Sequence, residues 1–436
     1  MPQHRKAKTT AVLSAVALAS TGLLSACGAA SPANELTWYI NPDGGGSDPT
    51  KGGQAQIAKE CTDASGGTYS IKVQLLPNSA SDQRQQVERR LAAKDAGMDI
   101  MSLDPVFVAE FAEPGWLAPV PEDKKATFTD DMVKPIVDAA TWKGTLVAAP
   151  MWANTQLLWY RKSVAAAAGL DMTNDVTWDQ IIAAAKSRQK TIGVQAKLYE
   201  GYTVWINALI EGAGGHIIQA NADNASTMQL GLDTDAGKKG AAVIAKVAST
   251  GVGGPAIGST DETASVNLFT DPATSGFMVN WPYVWNAVPA ANAAIGKDMG
   301  FARYPQTVAG MASKPPLGGI ELGVNAASTK KDLAWQALEC ITNVEHQTLY
   351  MVKSGNPAAR KAVYDDAEVK EAFPNGLAAL IRTSLDDGAP RPLTQYYGDI
   401  STAVQKSYSP PSAVNGQTPA EAADLIMRVL KGEALL

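Results

Sequence analysis

The stretch "FMVNWPYVWN", residues 277–286, places Trp281, Tyr283 and Trp285 at alternate positions. In an extended backbone that spacing puts all three rings on one side. Pro282 lacks a backbone donor, so the stretch belongs at the end of a strand rather than in the middle of a sheet. Three rings on one face either fill a core or offer a platform to a flat apolar ligand surface. Two carboxylates far apart in the chain, Asp104 and Glu262, could act as acid and base on a glycosidic bond if the fold brought them within about 5–10 Å. The same groups could instead accept hydrogen bonds from ligand hydroxyls with no bond broken.

Other catalytic chemistry finds no support. Of 3 His, His4 lies in the N-terminal leader, and His216 and His346 have no metal-ligand spacing between them. Ser187-Arg188-Gln189-Lys190 matches S-x-x-K, but no K-T-G follows. The loose G-x-G-x-x-A match at residues 251–256 follows a helical stretch and contains Pro255, the wrong context for a dinucleotide loop. No P-loop occurs, so neither a cofactor nor a metal is expected. The formal charge is −6, and removal of Arg5, Lys6 and Lys8 with the leader takes it to −9. An acidic surface of that kind argues against nucleic acid as a partner.

The elements that must position these residues begin after an export signal. A basic start is followed by an apolar run over residues 9–24, shorter than the roughly 20 residues a membrane-spanning helix needs. The run ends in Leu24-Ser25-Ala26-Cys27, the Leu-small-small-Cys pattern of a bacterial lipobox. Residues 1–26 are then a removable signal, and the Cys27 thiol accepts a diacylglycerol. Residues 27–34 form a short tether at the extracytoplasmic face of the cell membrane. Acyl chains hold at about 0.8 kcal/mol per buried CH₂ without any spanning helix. Cys61 and Cys340 remain, an even pair in an exported chain, which points to a disulfide rather than two buried thiols.

Strand and helix patterns alternate from residue 36 to Asp104, the mark of an open α/β sheet that binds ligands at the carboxyl ends of its strands. The loop after Ile40, Asp104 and the segment after Ala148 fall at such ends. A single helix is expected from residue 330 to Gly355, and a last one from an N-cap at Thr418 to Gly432. About 400 residues exceed what one core usually organises, so two lobes are expected.

"LLWYRKSVAAAAGLDMTNDVTWDQI" resembles the L-x-Y-R-K…A-G-L…T-W-D segment of the family 1 extracellular solute-binding proteins of ABC importers. "MDIMSLDPVFVAEFAEPGWLAPV", "ELGVNAASTKKDLAWQALECI" and "RPLTQYYGDIS" are similar to further segments of that family in the same order. "FMVNWPYVW" resembles its trehalose/maltose branch, and the trehalose-binding lipoproteins of mycobacterial-type recycling importers in particular.

The resemblance implies an α/β fold of the class II periplasmic-binding-protein type, with two lobes, three crossovers and a cleft between them. The N-terminal lobe is expected at residues 35–148 plus 322–363, the C-terminal lobe at 149–321 plus 364–436. It implies binding without catalysis of a disaccharide, most of all trehalose, and delivery to ABC permease subunits and through them to the ATPase. The rival is a lipid-anchored glycoside hydrolase acting on an α-glucoside. Carried over by position, Asp104, Asn154, Glu262 and Arg391 pair sugar hydroxyls, and Gly318 lets the backbone approach. Trp281, Tyr283 and Trp285 cover the sugar face, Tyr283 and Trp285 most directly, with Trp281 nearest the core. Asn41 and Asp43 lie on the first strand-end loop, where "NPDGGGSDP" departs from the family pattern.

Overall fold

Short runs rich in β-branched and aromatic residues, separated by capped helices, assemble into two larger sheets and two small two-stranded ones. The computed structural model describes residues 32–42 and 45–436; Cys27 and Asp43 lie outside the described residues. The strands of the two larger sheets are β1 (Glu35–Ile40), β2 (Ser70–Leu75), β3 (Ile100–Leu103), β4 (Ala148–Thr155), β5 (Leu157–Arg161), β6 (Thr191–Gly193), β7 (Ser275–Asn280), β8 (Met299–Ala302) and β9 (Leu317–Val324). The first sheet has the order β2-β1-β3-β9-β4, with β1 parallel to β2 and β3, and β9 antiparallel to both its neighbours. The second has the order β8-β5-β7-β6, in which β7 runs antiparallel to β5 and parallel to β6. Strands β3, β4 and β7 are buried along their whole length, as expected where helices cover both faces.

The chain passes from the first sheet to the second at Gln156, between β4 and β5, and returns between β8 and β9. It passes a third time after Ala389, which bridges Pro316, to reach the helix Tyr397–Ser407 packed on the helix Glu200–Glu211. The divisions expected at 148/149 and 321/322 fall inside β4 and β9. Residues 377–386, assigned to the second lobe, form a helix against β4.

Local signals set most helix ends. Thr177 and Gln180 close a capping box at the head of the helix Trp178–Ser187, with Oγ1 accepting from the Gln180 N–H at 3.1 Å and Oε1 accepting from the Thr177 N–H at 2.8 Å. The single helix expected over 330–355 is two, Lys331–Ile341 and Val344–Ser354. Asn343 breaks it by capping the second, accepting from the His346 N–H at 2.8 Å. Thr418 is the first residue of its helix, not the cap. A disulfide joins Cys61 on the helix Gln54–Ala64 to Cys340 on the helix Lys331–Ile341, with the Cα atoms 5.9 Å apart. No helix among the described residues is long and apolar enough to cross a membrane.

Candidate functional site

Strand ends and crossover segments from both sheets enclose a cavity of about 680 Å³. It gathers Asn41, Asp104, Asn154, Glu262, Trp281, Tyr283, Gly318 and Arg391. Of the other expected site residues, Asp43 lies outside the described residues, and Trp285 is not in the cavity wall.

Asp104 follows the last residue of β3, and Pro105 starts a short 3-10 turn. Its Oδ1 accepts from the Val106 N–H at 3.3 Å, capping the turn, and from Arg391 Nη2 at 2.7 Å. Arg391 Nη1 donates to Glu200 Oε1 at 2.5 Å. Glu200 also accepts from the Tyr397 hydroxyl, and its Oε2 accepts from Ser401 Oγ at 2.7 Å. Burial pushes the Glu200 carboxyl up from the usual range, and the Arg391 guanidinium opposes that shift. A buried guanidinium shared between two carboxylates is tolerated because nearly every polar atom is hydrogen-bonded. Arg391 Nε is the exception, a buried donor without a partner among the described residues. Trp152 Nε1, in the same wall, is another. Buried donors of this kind are costly.

The opposite wall is built on the helix Glu262–Thr270. Asp261 caps it, accepting from the Ala264 N–H at 3.0 Å, so Glu262 is left for the cavity. Tyr199 donates its hydroxyl to Glu262 Oε2 at 2.6 Å. Burial raises the Glu262 pKa, against the Tyr199 hydrogen bond. Burial, reinforced by the Glu262 charge, lifts Tyr199 well above its usual range, so it remains a donor. Lys197 pairs with Asp261 at 3.1 Å.

The aromatic stretch departs from the extended geometry expected of it. Strand β7 stops at Asn280, whose Oδ1 accepts from the Trp281 N–H at 2.8 Å. Trp281 O then accepts from Val284 N at 3.2 Å and Pro282 O from Trp285 N at 2.9 Å, closing turns that lead into the helix Val284–Ala291. The rings therefore point in different directions. Trp281, expected nearest the core, lies in the cavity wall. Trp285, expected to touch ligand, faces the core: its ring meets Trp159 at 6.4 Å and Phe301 at 5.9 Å, and Nε1 donates to Ala372 O at 2.9 Å. Tyr283 stays in the wall, where its Cα would lie 2.8 Å from a Cβ on Gly355, itself at φ +79°.

Asn154 lies within β4, just before the crossover at Gln156, and its Oδ1 accepts from the Thr155 N–H at 3.0 Å. Asn41 is buried just past β1 and accepts from Gln54 Nε2 at 2.6 Å. Gly318 on β9 faces Trp281; a Cβ there would lie 3.2 Å from the ring. Sequence reasoning missed Tyr199, Glu200, Lys197 and Trp152. Glu200 had a readable signal, since it is the lone charge at the head of a helix whose next ten residues are all buried.

The family model for bacterial extracellular solute-binding proteins matches residues 56–375. A probable ABC transporter-binding protein of Deinococcus radiodurans is 27% identical over 379 residues, covering 81% of this chain and 83% of that protein. The diacetylchitobiose-binding protein DasA of Streptomyces coelicolor is 24% identical over 342 residues, 74% of each. Maltose-bound MalE3 of T. maritima has the same fold, with a TM-score of 0.75 at 23% identity, covering 92% of this chain and all of that one. These relatives bind solutes and are not enzymes. That setting does not favour the hydrolase expectation for Asp104 and Glu262.

Proposed function

The chain belongs to the bacterial extracellular solute-binding proteins, and on that premise we propose that its cleft captures a disaccharide, trehalose above all, for an ABC importer. The observation that carries this reading is one platform with its polar rim. The Trp281 ring lies beside Gly318, and the carboxylates of Asp104 and Glu262 line the same cavity. A pyranose has a flat face of C–H groups and a rim of hydroxyls. The ring suits the face, and Asp104, Glu262, Asn154 and Asn41 suit the rim. The maltose carried by MalE3 and the diacetylchitobiose in the name of DasA are consistent with two linked pyranose rings.

Residues 1–26 act as a lipoprotein signal, and Cys27 carries the lipid that keeps the body at the outer face of the membrane. Ligand contacts drawn from both sheets favour the closed state, which the permease then recognises and the ATPase acts upon. Calorimetric titration of the leaderless protein with trehalose, maltose and sucrose tests the reading. Micromolar binding, about −8 kcal/mol, is expected for trehalose, and binding to no disaccharide overturns it.

A further inference from the structure

We propose that the cleft selects its ligand by charge, holding an ammonium-bearing glycoside more tightly than its uncharged parent, with Glu262 as the counter-ion. The inference rests on the disaccharide reading and concerns which sugars the same site prefers. Four carboxylates line the cavity, those of Asp104, Glu200, Asp261 and Glu262, against two cations, Lys197 and Arg391. Both cations are committed. Lys197 pairs with Asp261 at 3.1 Å, and Arg391 spans Asp104 at 2.7 Å and Glu200 at 2.5 Å.

Glu262 forms no salt bridge among the described residues, and its Oε2 accepts from the neutral Tyr199 hydroxyl at 2.6 Å. An ionised carboxylate offers about four acceptor positions, and a neutral hydroxyl at one of them brings no charge to it. Burial pushes its carboxyl upward, a shift that an adjacent cation would oppose. A sugar hydroxyl can supply a hydrogen bond at this point, whereas an ammonium group supplies the hydrogen bond and the missing charge. A sugar phosphate meets the same excess of negative charge and is disfavoured.

The test is calorimetric titration of the leaderless protein with four kinds of probe. These are the disaccharide it binds best, the positional series of its monoamino-monodeoxy derivatives, the N-acetyl form of each, and its monophosphate. At least one amine is expected to bind about tenfold more tightly than the parent, its N-acetyl form to lose that gain, and the phosphate to bind about tenfold more weakly. In Glu262→Gln the ratio of amine to parent affinity falls to about one. The proposal is overturned if no amine exceeds the parent, or if the gain survives N-acetylation or Glu262→Gln. Should Glu262→Gln bind no sugar, the comparison of amine with N-acetyl form in the unaltered protein decides. Binding of the parent without an amine gain sinks charge selection alone, while binding of no sugar sinks the disaccharide reading beneath it.

Discussion

Gly318 and Trp281 meet so closely that a methyl group on the glycine would lie 3.2 Å from the indole ring. That separation is tighter than ordinary van der Waals contact, so the ring must shift if a side chain is added. Gly318→Ala is therefore expected to weaken disaccharide binding about tenfold by displacing the platform, an expectation that rests on the sugar-binding reading. Calorimetry beside a thermal melt checks this, and unchanged affinity would remove Gly318 from the site.

Trp281 and Trp285 should separate binding from stability. Trp281→Ala is expected to abolish measurable sugar binding with little change in apo Tm. Trp285→Ala should cost about 1–3 kcal/mol of stability, because its half-buried ring packs against Trp159 and Phe301 and its loss orphans Ala372 O. Chemical denaturation of both variants reads the difference. Equal losses of stability would contradict the placement.

Glu200 positions Arg391 and makes no ligand contact in this reading. Glu200→Gln keeps the shape but halves the negative charge held on the guanidinium, so Arg391 is drawn further onto Asp104. Disaccharide affinity should fall several-fold, with Glu200→Asp recovering part of it. An affinity equal to that of the unaltered protein would limit Glu200 to packing.

Glu321 on β9 is fully buried, and neither carboxylate oxygen has a partner among the described residues. Burial alone raises its pKa well above 4.5. A folded-state pKa above the unfolded one means that its contribution is fully present below the usual carboxylate range and is lost as pH rises through the folded value. Thermal stability should therefore decline with rising pH in that window. Glu321→Gln should flatten the decline and raise Tm by a few degrees at pH 8. Parallel melting curves for the two proteins across pH would contradict this.

The Cys61–Cys340 bridge closes a loop spanning 279 positions. Replacing both by serine is expected to cost about 2–5 kcal/mol in denaturant titrations, since the unfolded chain regains the entropy the loop withholds. Thiol labelling of the unaltered protein after unfolding should find neither cysteine reactive until a reductant is added.

Much of the site was legible because its carriers sit at local boundaries. Asp104 at the end of β3 follows from the strand pattern, and it lines the cavity with Glu262, which the family resemblance supplied. Family resemblance supplied Asn154, Gly318 and Arg391, whose types alone are unremarkable on a surface. Glu200 escaped, although a charge heading an apolar helix was visible, because nothing nearby in the chain names its partner 191 residues away.

Local patterning, by itself, determined the alternation of strands and helices and where most helices begin, since these follow from side-chain period and capping within a few residues. The tertiary structure decided which aromatic faces the cavity. Alternate rings share a side only while the backbone is extended, and the chain turns at Pro282 into a helix whose Trp285 fits against Trp159 and Phe301. It also decided that Arg391 bridges Asp104 and Glu200. A pairing across that sequence distance depends on how two sheets and three crossovers close upon each other, which no local period encodes.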